Sequence, residues 1–138
     1  MATRMFFIAS SRKGGETAPV RFNDDPLKNG KVQFFTWMSV DPIDGSVNIV
    51  FYDRRDTEGA LTKLTLARSV DGGHTFVNYQ IDQPPFACDP RIFFGDYSGI
   101  SAYNGRMAPI FMHFGNDKKL TVPVALFHFR PGTQKRIH

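Results

Sequence analysis

Hydrophobic positions in this chain come in short runs, separated by clusters of Gly, Pro, Asp and Asn. Residues 5–10 (MFFIAS), 20–23 (VRFN), 34–40 (FFTWMSV), 61–68 (LTKLTLAR) and 77–81 (VNYQI) each have the length and the β-branched or aromatic content of a strand. Period-2 alternation is visible in Ser46-Val47-Asn48-Ile49 and passes into the continuous apolar run Val50-Phe51-Tyr52, the pattern of a strand that becomes buried on both faces. No stretch sustains a 3.6-residue period, so the expected class is all-β.

Two internal repeats organise these strands. Residues 37–53 (WMSVDPIDGSVNIVFYD) align without a gap on residues 97–113 (YSGISAYNGRMAPIFMH), 60 positions later. Trp37 falls on Tyr97, Val40 on Ile100, and Asp44-Gly45 on Asn104-Gly105. Both copies read as strand, Asp/Asn-Gly turn, strand, which predicts two hairpins. Separately, residues 69–76 (SVDGGHTF) are matched 58 positions earlier by a decayed copy in which Ser11 falls on Ser69, Gly14 and Gly15 on Gly72 and Gly73, and Thr17 on Thr75. Lys13 replaces Asp71 there and Ala18 replaces Phe76. A period near 60 residues holding roughly four short strands is the sequence form of a propeller blade. The expected fold is a partial β-propeller of about two to two and a half four-stranded antiparallel blades. Residues 10–23 would end one blade, 33–82 make a complete one, and 93–130 supply three strands of the next. Asp24-Asp25-Pro26 and Gln83-Pro84-Pro85 would link them, and 131–138 would form a polar tail. Two and a half blades cannot close a ring. The chain is therefore expected to be a fragment of a longer product, an open stack, or a unit whose copies self-associate.

The stretch 69–76 carries the most specific local signal. Ser69, Asp71, Gly73, Thr75 and Phe76 match S-x-D-x-G-x-T-[WF], in which an Asp carboxylate and Ser/Thr hydroxyls take up turn amides while the aromatic packs beneath. This pattern resembles the Asp-box, or BNR repeat, of the sialidase-like β-propellers. The runs PVRFNDD, QFFTWMSVDPIDGSVNIVFYDRRD and FFGDYSGISAYNG extend the resemblance over about residues 10–114. It implies part of a secreted or periplasmic exo-α-sialidase-like glycoside hydrolase, inactive alone, with a sialoside-like glycan as partner. The alternative within the family is a non-catalytic propeller module that binds glycan or protein. Such sialidases use an arginine triad on the substrate carboxylate, a Tyr nucleophile assisted by Glu, and an Asp acid. Here the positions bearing such groups near strand ends are Arg55, Arg91, Asp96 and Tyr97, and no motif equates any of them with one family position. Their structural alternatives are an ion pair between Asp53 and Arg54 or Arg55, and an Asx-turn at Gly95-Asp96-Tyr97. The only glutamates, Glu16 and Glu58, lie on predicted turns.

Charge and composition narrow the classes further. The formal net charge of +4 comes from scattered basic residues, apart from Gln134-Lys135-Arg136, so no nucleic-acid surface is expected. No apolar run approaches the ~20 residues of a membrane helix, and the run 5–9 is shorter than the ~7–15 residues of a signal-peptide core. Cys88 is the only cysteine, which excludes an intramolecular disulfide. His74, His113, His128 and His138 are dispersed, and the turn carboxylates Asp41, Asp44, Asp71 and Asp96 stand singly. Neither metal nor cofactor is expected.

Overall fold

The computed structural model describes residues 5–12, 15–81, 83–88, 91 and 98–130. Residues at the N-terminal end pair antiparallel in two successive ladders, β1 (Phe7–Ile8) with β4 (Val20–Arg21) and β2 (Ser11–Arg12) with β3 (Gly15–Glu16). The central sheet is an antiparallel meander of β5 (Gln33–Val40), β6 (Val47–Asp53), β7 (Leu61–Ser69) and β8 (Val77–Gln80), with β9 (Phe86–Ala87) sharing the edge of β7 beside β8. A third sheet holds β10 (Gly99–Tyr103), β11 (Arg106–Ile110) and β14 (Phe127–His128), and a short ladder joins β12 (His113–Phe114) to β13 (Leu120–Thr121). The fold is all-β, built from several antiparallel sheets, and among the described residues no sheet closes on itself.

The layering follows from β6 and β7, which are apolar on both faces. Ile49, Phe51 and Ala67 point to one side and are covered by Phe22, with Phe6, Ile8 and Phe76 packed around them. Phe6 stacks on Phe22 at 5.5 Å between ring centroids, and Phe51 meets Phe22 edge-on at 5.8 Å. Val50, Tyr52, Leu64 and Leu66 point to the other side, where Ile100, Ala102, Met107, Phe111 and Phe129 cover them. The central sheet is thus sandwiched between the N-terminal ladders and the C-terminal sheet.

Both repeat hairpins form, but only the second has the tight turn that the sequence predicts. Asn104 (φ 49°) and Gly105 (φ 75°) make a two-residue left-handed turn between β10 and β11. A side chain at Gly105 would bring its Cβ to 2.3 Å from the Phe129 carbonyl, so only glycine fits. In the first copy Asp44-Gly45 is not a two-residue turn. Residues 42–45 lie between Asp41 and Ser46, closed by Asp41 N–H donating to Ser46 O and Gly45 N–H to Asp41 O, each 2.9 Å. Pro42 has no N–H to extend the ladder, and the Asp41 carboxylate takes the Ile43 N–H at 2.9 Å, which widens the loop. Residues 11–16 differ from the 69–76 loop in the same physical sense. With no carboxylate at Lys13 to gather amides, the ladder runs on into the turn and pairs Ser11 with Glu16 and Arg12 with Gly15. Lys13, Gly14 and the tail 131–138 lie outside the described residues.

The widened loop has a use. The fully buried Asp41 carboxylate also accepts the N–H groups of Asn104 (3.0 Å) and Gly105 (2.7 Å), so one side chain fastens the tip of the third sheet to the first hairpin. Burial by itself would raise this carboxyl, but the hydrogen bonds from Gly105, Ile43 and Asn104 outweigh it and hold it below the usual carboxylate range. Asp41→Ala is expected to lower the unfolding free energy by about 1–3 kcal/mol, the cost of stranding buried N–H groups, read from the urea midpoint. Because the folded carboxyl titrates below its unfolded value, its stabilisation is complete above the unfolded value and is lost as pH falls through the folded one. Asp41→Asn should flatten that part of the acid-side stability curve.

Candidate functional site

The 69–76 loop is held together by its own side chains. Asp71 Oδ1 accepts the N–H groups of His74 (3.1 Å) and Thr75 (2.9 Å) and the Ser69 hydroxyl (2.7 Å), while Oδ2 accepts the Thr75 hydroxyl (2.5 Å). Ser69 Oγ in turn accepts the Gly73 N–H at 2.9 Å. The Thr75 hydroxyl and amide, followed by Ser69, hold the Asp71 carboxyl well below the usual range. Gly72 and Gly73 supply the positive φ the turn needs, 73° and 90°, and Phe76 packs inward at 6.0 Å from Phe22. The side chains of Ser69, Asp71 and Thr75 are directed at the loop itself, so their chemistry is that of a turn. Asp71→Ala should raise amide hydrogen exchange at His74 and Thr75 selectively.

Arg55 sits in a polar knot at the far end of the central sheet. Its Nε donates to Asp53, one Nη to Asp24 and the other to Asn78 at 2.9 Å. Asp53 is buried and also accepts the Thr65 hydroxyl (2.8 Å) and Gln33 Nε2 (3.2 Å). The same Gln33 nitrogen reaches the buried Asp25 (3.1 Å), which further accepts Asn23 (2.7 Å), Asn29 (2.9 Å) and Arg21 (3.2 Å). Burial alone would lower the Arg55 guanidinium, and Asp53 and Asp24 reverse this and raise it. Arg55 is thereby a strut between residues 24, 53 and 78. Its neighbour Arg54 donates to Thr62 Oγ1 at 3.0 Å and stands 5.3 Å over the Phe34 ring.

Arg91 occupies a different setting. It is exposed at the mouth of a cleft of about 450 Å³ between β9 and the β12–β13 turn. Leu61, Pro85, Phe86 and Phe114 form an apolar floor, and Arg91, Asn116 and Lys118 bring polar and cationic groups to the rim. The turn is fixed by Lys118 N–H donating to Gly115 O (2.9 Å) and Lys119 N–H to Asp117 Oδ1 (3.0 Å). Cys88 lines the same cleft, and burial pushes its thiol up. The sequence analysis singles out neither Asn116 nor Lys118. Only the contact of β12 with β9 carries them to Arg91.

Asp96 and Tyr97 lie outside the described residues. The described tyrosines differ in setting. Tyr52 is buried, its hydroxyl accepting the Met112 N–H (2.8 Å) and donating to Met112 O (3.1 Å), and burial pushes it up to about 12. Burial likewise raises Tyr79, against the lowering effect of the nearby Arg68, and Tyr103 is exposed on the outer face of the third sheet. Among the described residues no group of three or more His, Cys, Asp or Glu side chains is arranged to hold a metal ion. No helix there is long and apolar enough to cross a membrane. No protein-family model, curated protein or solved structure matches the chain.

Arg55→Ala is expected to destabilise by about 2–4 kcal/mol, since it leaves the buried Asp53 without its cation. A denaturation midpoint unchanged from wild type would reassign Arg55 from strut to ligand clamp.

Proposed function

We propose that this chain is a unit of a sialidase-like Asp-box propeller that serves as scaffold and binds an anionic sugar in the Arg91 cleft, without hydrolysing glycosidic bonds on its own. The observation that carries the binding is the pairing of an aromatic floor, Phe86 and Phe114, with a cationic rim, Arg91 and Lys118. A pyranose ring offers a weakly polar face to aromatic carbons, and its carboxylate would meet the guanidinium in charge-assisted hydrogen bonds. The Asp71-centred loop supports the family part of the reading. In a longer glycoside hydrolase this cleft would form part of the pocket rim, and a secreted or periplasmic setting goes with that reading.

Among the described residues, the disposition of the reactive groups supports the expected lack of turnover by the isolated chain. Hydrolysis of the sialidase type needs an ionisable Tyr hydroxyl beside a carboxylate and several free guanidinium groups around one carboxylate. Tyr52 is committed to Met112, and Arg55 is committed to Asp24, Asp53 and Asn78.

Titration of the ¹⁵N-labelled chain with N-acetylneuraminic acid should shift the amides of Ala87, Asn116 and Lys118 in the millimolar range, and Arg91→Ala should weaken this about tenfold, the effect of one charge-assisted hydrogen bond. A fluorogenic sialoside should stay intact. Equal shifts with neutral galactose, or none at tens of millimolar sialic acid, would sink the proposal.

A further inference from the structure

The two faces of the central sheet are covered unequally. On one face the third sheet lies across β5 and β6, with β10 against both strands. On the other face the N-terminal ladders cover Ile49, Phe51 and Ala67 but stop short of β5. Met38 and Val40 project from β5 into that gap, each 51% exposed. The gap is a trough made of two neighbouring recesses, of about 540 Å³ and about 250 Å³, that share Ile8 and Met38 as walls. Its floor and sides are apolar, from Ile8, Val20, Met38, Val40 and Val47.

The third sheet has the converse surface. Ile100, Ala102 and Met107 face the core, so period-2 alternation turns Ser101, Tyr103, Ala108 and Ile110 outward. Tyr103 is 59% exposed and Leu126, next to β14, is 80% exposed, and they flank a shallow recess of about 400 Å³. The chain itself shows one hairpin of this repeat stacked on its copy, because β10 packs against β5 and β6 and the two hairpins are sequence copies 60 residues apart.

We infer that the trough is the seat of a second copy of this chain, whose C-terminal sheet enters it with the Tyr103 and Leu126 face against Met38 and Val40. The seated sheet would lie beside the N-terminal ladders of the receiving copy. Those ladders correspond, at the 58-residue spacing, to β7 and β8, which are the outer strands of the central sheet. One copy's inner strands and the next copy's outer strands would then form a single composite layer between two central sheets. The contact is head to tail, because the donating and receiving faces lie on opposite ends of the layer stack, and repetition leads to a ring where the rotation closes.

A head-to-tail contact has a distinctive test. Met38→Asp spoils the trough and leaves the Leu126 face intact, while Leu126→Asp does the reverse. Both sites are more than half exposed, so each variant should retain the wild-type circular dichroism and melting temperature. In light scattering at millimolar chain concentration, wild type should exceed dimer mass, each variant alone should be monomeric, and an equimolar mixture should give a dimer and nothing larger. Val40→Asp, on the same row as Met38, should behave as Met38→Asp does. Monomeric wild type, a mixture that stays monomeric, or a variant that dimerises alone would each overturn the inference.

Discussion

Two strands that are apolar on both faces impose the architecture. β6 buries Ile49 and Phe51 on one side and Val50 and Tyr52 on the other, and β7 does the same with Ala67 opposite Leu64 and Leu66. Each large side chain kept from water is worth about 1.5–3 kcal/mol, so a single sheet with one bare face is not a stable solution for this sequence. The chain supplies a cover from each end. The N-terminal ladders bring an aromatic cluster centred on Phe22, and the C-terminal sheet brings aliphatic residues and Phe129. Apolar contact is nondirectional, however, and does not say how far one layer slides over the next. That is settled by Asp41, whose carboxylate captures the two amides at the tip of the third sheet.

Local features were the legible ones. The 69–76 loop could be read from its residues because the bonds that shape it are made within eight positions, and the Asn104-Gly105 turn could be read because those residue types tolerate the positive φ it needs. The all-β class followed from alternation and from the double-sided apolar run at β6. What could not be read depends on distant partners. Asp41 looked like one more turn carboxylate, and its decisive partners stand 63 and 64 positions away. Asp44-Gly45 looked like a tight turn, and the neighbouring Pro42 and Asp41 side chain opened it. Arg55 was legible as a charged residue at a strand end and equally so as ion-pair or ligand clamp, because the choice rests on Asp24 and Asn78, which only folding brings beside it.

The contrast between Arg55 and Arg91 shows how placement divides one residue type into two roles. A guanidinium pushed into the sheet end beside buried carboxylates must spend its donors there, since an unpaired buried charge costs several kcal/mol. Arg55 therefore cannot serve a ligand without unmaking the knot around Asp53. Arg91 is exposed at the rim of an apolar cleft. The conspicuous sequence motif Asp53-Arg54-Arg55 thus holds a strut of the sheet end.

Polar fasteners also stand at both ends of the central sheet, and their placement bears on register. At one end Gln33 lies across from Asp53 and ties it to Asp25. At the other, Asn48 lies across from Arg68, whose guanidinium reaches Ser46 (2.5 Å), Asn48 (3.1 Å) and Asp44 (2.8 Å) and lies 4.6 Å over the Phe129 ring of the adjoining layer. Between the two ends β6 is apolar on both sides, so a one-residue slip would exchange one apolar face for another at small hydrophobic cost. The slip would instead orphan Gln33, Asp53, Asn48 and Arg68 together, each at about 1–3 kcal/mol or more. In a strand that hydrophobic patterning leaves ambiguous, the buried polar pairs at its ends are what make one register the native one.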